Sequence, residues 1–328
     1  MSSCFYERNL CGGEGWQPYM DVIGYGNAKN TGEVSWLRKC HRDRKCCHGM
    51  GYECWRFNMS GKIIYAWIPG LPHLLRPELS DGYKSLASAA SEVGREFTKL
   101  GVKRVLYYST QWLSVLGQSV QTRPNVKGLH VDENWYDIAS LPFDFHVDQV
   151  LAKKLILASE GAGFQVRGVN YEGFPVDTGT IVANKLINSA NLATGMYSSC
   201  VYSDYQETIK IGRLAKSVAE SMDGVTAMVA VSGLSGRYFT TEIDFREDHI
   251  RDPKDNEWNQ KLLGAMDSGD WVAVNNMREQ FCRECKADVG LKALAFLEGA
   301  GACGAGKKLQ TKAYGAIYGT GAAVMLGV

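Results

Sequence analysis

Apolar and polar positions follow two regimes along this chain. Upstream of Met59 no apolar period of 3.6 or of 2 is sustained for more than a few residues, whereas from Met59 onward short apolar runs alternate with stretches of helical spacing. Lys62–Ile68 reads as a strand, Glu78–Leu100 as a helix ending at Gly101, and Val102–Tyr108 as a second strand. Helices over Val147–Gly161, Gly179–Leu192 and Glu207–Met222, with strands at Phe164–Gly168 and Thr226–Ser232, continue this β-α-β opening. Helices over Trp258–Met266, Trp271–Cys285 and Val289–Gly299 follow, before a closing strand within Tyr314–Gly327. The alternation predicts an α/β fold: a mostly parallel central sheet covered by helices on both faces, preceded by an irregular N-terminal extension.

With 328 residues, 45% apolar and 22% charged, the chain can bury a full core without disulfides or a metal. Thirty-six Lys and Arg stand against 35 Asp and Glu, leaving no excess positive charge for phosphates or anionic lipid. Nucleic acid and membrane are therefore not expected as partners. No apolar run reaches the roughly 20 residues needed to cross a bilayer, and no charged stretch leads into an apolar one at the N-terminus, so a cytoplasmic location is expected.

Cysteine usage sharpens the boundary at Met59. Six of the ten, Cys4, Cys11, Cys40, Cys46, Cys47 and Cys54, fall in residues 1–58. Cys40-His41 and Cys46-Cys47-His48 with Cys54 suggest a zinc module but lack paired C-x₂-C spacing, and a disulfide module would need an oxidising compartment. A third reading starts translation at Met59. Trp has the single codon TGG, so an AGA or AGG codon at Arg56 would place GGAG a few nucleotides before the Met59 codon.

Open α/β sheets collect their ligands at the carboxyl ends of strands, so the residues there bear most directly on chemistry. His73 follows the first apolar strand, while comparable strand ends finish in Gln111, Thr178 and Gly236. The Gly/Ser-rich turn after Val231 carries only Arg237, Tyr238 and Glu242 as ionisable groups, and these are pocket candidates. Glu284, Asp288 and Lys292 lie near a helix start, where acidic residues are ordinary dipole partners. His130 reads as a loop residue, His146 stands beside a helix start and His249 in a charged loop; all three read as surface histidines. There is no G-x-G-x-x-G after a strand and no P-loop, and Gly319-Thr320-Gly321 reads as a turn or bulge.

Pro72-His73, Tyr108-Ser109-Thr110-Gln111-Trp112, Val176-Asp177-Thr178-Gly179, the Ser232–Ile243 segment and Tyr318-Gly319-Thr320-Gly321 together resemble the class III (LigB-type) extradiol dioxygenases, over Met59 to Val328. In that family two histidines and a carboxylate hold Fe(II), leaving open positions for an aromatic substrate and O₂, and a further histidine moves protons. Carried over by the resemblance, His73 matches the first iron-ligand histidine and Gln111 stands where the second is expected. Thr178 falls where catalytic members have the histidine of Asp-His-Gly, and Gly236 where the acid/base histidine is expected. Asp288 is the nearest match to the carboxylate, with Glu284 the other candidate.

Such a site is depleted. Even loss of a group supporting a metal ligand costs about 10- to 100-fold in affinity, and loss of an acid/base group a further factor of roughly 10² to 10⁴ in rate. The resemblance thus implies a vestigial site without metal or catalytic residues. It points to a structural subunit of a heteromeric enzyme that opens the ring of 2-aminophenol, with Fe(II) on a homologous catalytic β subunit in an α₂β₂ assembly. Two alternatives stay open: a working site rearranged around His73, Asp288 and His146, or an emptied pocket that binds the aromatic compound as a regulatory ligand.

Overall fold

The computed structural model describes residues 61–327 apart from Ala139 and Tyr238. The extension at 1–58, with its three readings, and the pocket candidate Tyr238 lie outside the described residues. An eight-stranded sheet runs in the order β6-β3-β7-β2-β8-β1-β10-β9. Its strands are β1 (Lys62–Ile68), β2 (Val102–Ser114), β3 (Gln118–Gln121), β6 (Val166–Val169), β7 (Ala193–Cys200), β8 (Val225–Val231), β9 (Gln310–Ile317) and β10 (Thr320–Gly327). Pairing is parallel through β7, β2, β8 and β1, and again between β3 and β6. It turns antiparallel where β3 meets β7 and where β10 meets β1 and β9.

The central strands explain the strongest sequence signals. β1 and β8 are buried on both faces, so they read as nearly continuous apolar runs rather than alternating ones. On one face, α1 (Asp81–Lys99) and α3 (Thr178–Ile187) contribute Leu86, Phe97 and Ile181 to a core that also holds Ile64 and Val229. On the other, α2 (Gln149–Gly161), α4 (Tyr205–Glu220), α5 (Pro253–Ser268), α6 (Trp271–Glu284) and α7 (Lys292–Ala300) enclose Trp67, Leu106 and Met228. Helix starts are set by side-chain caps: Ser80, Asp148, Asp177, Asp204, Asp252 and Asp270 each accept a bond from a first-turn amide. Among the described residues no helix is long and apolar enough to cross a membrane.

Three departures from the sequence reading bear on the site. β2 continues past Tyr108 to Ser114, which places Gln111 within the strand. The segment after β3, read as loop, forms a two-stranded arm of β4 (Asn125–Val131) and β5 (Ser140–His146), with Gly128 leaving room for the Phe143 ring opposite. The closing strand is a hairpin, β9 and β10, joined at Tyr318-Gly319 where φ is +50 and +76. Two consecutive left-handed residues fit a tight hairpin turn whose twist matches its strands.

Candidate functional site

A cleft of about 550 Å³ opens at the carboxyl ends of β1, β2 and β8, lined by Pro69, Gln111, Trp135, Gly233, Asp288 and Tyr318 among others. This is where an open α/β sheet places a ligand. The first element to assemble it is Asp288, whose carboxylate lies against the ends of two central strands. Its Oδ2 accepts from the Thr110 hydroxyl at 3.0 Å, the Ser232 hydroxyl at 2.7 Å and the Gly233 amide at 2.8 Å. Its own amide donates to the Leu234 carbonyl at 2.9 Å. The chain around it is contorted. Lys286, Val289 and Leu291 take left-handed φ values of +49, +40 and +58, each a conformation that costs a non-glycine residue of order 1–3 kcal/mol.

His73 occupies a short helical turn, Pro72–Leu75, immediately after β1 and is fully buried. Its ring packs against those of Trp135, Phe245, Tyr83 and Tyr318, at centroid distances of 4.6, 5.2, 5.5 and 5.7 Å. Among the described residues neither ring nitrogen has a hydrogen-bond partner. Burial lowers its pKa from 6.5 to about 4, against the opposing pull of Asp137 and Asp132. The imidazole is therefore neutral at pH 7, behind a wall that includes two rings of the cleft.

Folding excludes a proton that the unfolded imidazole accepts, so His73 should make stability fall as pH drops from 6.5 towards 4. The full effect of that window is up to about 3 kcal/mol. His73→Phe, which suits an aromatic cage, is expected to flatten the fall when urea unfolding is compared at pH 7 and pH 4.5. An unchanged pH slope would count against the buried, neutral imidazole.

The other three positions expected at strand ends hold other contacts, and two of them are not strand ends: Gln111 lies within β2 and Thr178 begins α3. The Gln111 amide group donates to the Gly70 carbonyl at 3.3 Å. A Cβ on Gly179 would lie 2.9 Å from the Gln111 Cδ, so this side chain fits only because α3 begins with glycine after Thr178. Thr178 donates its hydroxyl proton to Asp132 and receives the His130 Nε2 at 2.8 Å, which assigns the ring proton to Nε2. His130 is thus not a loop residue: it sits in β4, half-buried, on the same side of the strand as buried Val126. That alternation is the one signal in the sequence that points it inward. Gly236 donates its amide to the Cys285 carbonyl at 3.2 Å, and a Cβ there would come 2.7 Å from the Lys286 carbonyl oxygen.

Of the other candidates, Arg237 lines the cleft, yet its guanidinium forms a two-pronged pair with buried Asp255 at 3.0 and 2.7 Å and also reaches Asp252 at 3.1 Å. Glu242 is exposed and is not part of the cleft lining. Glu284 pairs with Lys254, which holds its carboxyl below the usual range. Lys292 donates to the Cys200 and Val201 carbonyls at 2.7 and 3.2 Å, closing the end of β7. His146 and His249 are exposed, bonded to Asn125 and to the Glu247 carbonyl respectively. Gly319-Thr320-Gly321 forms the hairpin turn and the start of β10.

Ferrous iron in a facial site needs two imidazoles and a carboxylate on one point. Among the described residues no three His, Cys, Asp or Glu side chains converge in that way. The available nitrogen donor is enclosed by aromatic rings, and Gln111 supplies a neutral amide that suits hard ions better than Fe(II). This donor set does not fit the ion.

Over 262 residues the chain is 37% identical to the 2-aminophenol 1,6-dioxygenase alpha subunit of a Pseudomonas species, a match covering 79% of this chain and 96% of that protein. The chain belongs to the LigB-type extradiol dioxygenase family. A second relative, the 3,4-dihydroxyphenylacetate 2,3-dioxygenase of Escherichia coli, is 18% identical over 237 residues, covering 71% of this chain and 83% of that one. The same fold occurs in the crystal structure of an uncharacterized protein from Escherichia coli K12, with a TM-score of 0.58 and 13% identity over 81% of this chain and all of the other. No family model matches the chain.

Proposed function

We propose that this LigB-type chain is the supporting subunit of a heteromeric dioxygenase that opens the ring of 2-aminophenol. The Fe(II) chemistry resides on a homologous catalytic β subunit in an α₂β₂ assembly. The likeness to a 2-aminophenol 1,6-dioxygenase alpha subunit supports the assignment to that reaction and the need for another subunit. The observation that carries the supporting role is the state of the strand ends: His73 faces aromatic rings instead of a second imidazole, and Gly236 abuts the Lys286 carbonyl where an acid/base histidine would be needed. Packing between subunits depends on residues other than those of a metal site, so a duplicated fold can lose one and keep the other.

The test is reconstitution. Purified alone and supplied with Fe(II), the chain is expected to retain no stoichiometric iron and to consume no oxygen with 2-aminophenol. Co-expressed with the catalytic subunit of its host, it should co-purify in a 1:1 ratio and raise the yield of active enzyme. Full turnover by the isolated chain would end this reading.

A further inference from the structure

The cleft has an electrostatic character that the supporting role does not use. Asp288 faces it with a carboxylate whose three partners, two hydroxyls and one amide, are all neutral. Arg237 adds no net positive charge, because Asp255 and Asp252 both engage it and leave that group of three with one negative charge in excess. The same cleft is lined by Trp135 and Tyr318, with ring centroids 4.4 Å apart in an edge arrangement, and by Phe239. A carboxylate in one cleft with part-exposed Trp, Tyr and Phe side chains is the chemistry that recognises an organic ammonium ion, through charge pairing and attraction of the cation to the rings. A carboxylate ligand would meet repulsion there, and a neutral aromatic would leave the charge unused.

We propose that this cleft binds a small monoaromatic ammonium ion, its charged nitrogen towards Asp288 and its ring against Trp135 and Tyr318. A volume of about 550 Å³ admits such a molecule with room to spare. The assignment rests on the reading that no metal ion occupies Asp288. Metal analysis of the same sample therefore accompanies the test: iron bound in stoichiometric amount would remove that reading whatever the titration shows.

The experiment titrates the full, chelator-treated chain with benzylammonium, benzyl alcohol and benzoate, following heat and intrinsic tryptophan fluorescence. Benzylammonium is expected to saturate with an affinity at least about tenfold above that of benzyl alcohol, with benzoate showing no saturation. That preference should shrink with added salt and vanish in Asp288→Asn, while Trp135→Leu should weaken benzylammonium and benzyl alcohol alike. Because Asp288 also ties the strand ends, the comparison of the three compounds on the unaltered chain decides the matter without any variant. Equal binding of benzylammonium and benzyl alcohol, or saturation by none of the three, overturns the proposal.

Discussion

Arg237→Met is expected to destabilise the fold by about 3 kcal/mol, because it strands a carboxylate that has no route to water. Asp255 is 1% exposed and receives two bonds from the guanidinium, which also donates to the Glu284 carbonyl at 2.9 Å. Removing one member of such a pair leaves an uncompensated buried charge, whereas removing both leaves only a packing problem. Arg237→Met combined with Asp255→Leu should therefore regain much of the loss. Urea unfolding of the two variants separates the cases. A single variant within about 1 kcal/mol of the parent, the range of an exposed pair, would mean that Arg237 is free to serve a ligand.

Gly236→His, which puts an imidazole at the position where the sequence resemblance leads one to expect the acid/base histidine, is expected to lower stability by about 1–3 kcal/mol or more without conferring oxygenase activity. The new Cβ alone would stand 2.7 Å from the Lys286 carbonyl oxygen and 3.4 Å from the Asp288 amide nitrogen. Relief requires the segment 285–288 to retreat, which breaks the bond between the Gly236 amide and the Cys285 carbonyl and loosens the bridge between Ser235 and Ala287. Thermal unfolding and oxygen uptake by the isolated chain measure both parts. A variant as stable as the parent would show that the neighbouring backbone yields easily.

Much of this architecture was legible from periodicity because its central strands are apolar on both faces. β1 and β8 announce themselves as runs of Ile, Val, Ala and Trp, and helix starts are marked by Asp or Ser. β7 is as buried as either but is composed of Ala193-Thr194-Gly195-Met196-Tyr197-Ser198-Ser199-Cys200, whose hydroxyls and glycine interrupt any apolar run. Its polar atoms are satisfied by tertiary bonds, such as that from the Ser119 amide to the Ser198 hydroxyl and that between the Ser114 and Ser198 hydroxyls. No local pattern can foretell those partners. The arm of β4 and β5 was missed because only one side of a two-stranded ribbon is buried, which leaves a weak alternation.

At the cleft, the residue types were readable and their relations were not. His73, Gln111, Thr178 and Gly236 can be picked out in the sequence itself. That His130 reaches Thr178 across 48 positions, or that Arg237 turns to Asp255 instead of the cleft, depends on how loops fold over the sheet.

The three-fold embrace of the Asp288 carboxylate carries a lesson for anyone mutating this chain. It clamps a kinked peptide to two strand tips, so intolerance to change at that position would register a folding defect and mimic the behaviour of an essential ligand. Sensitivity to replacement is then no certificate of reactivity, since an acid can be held in place as a rivet.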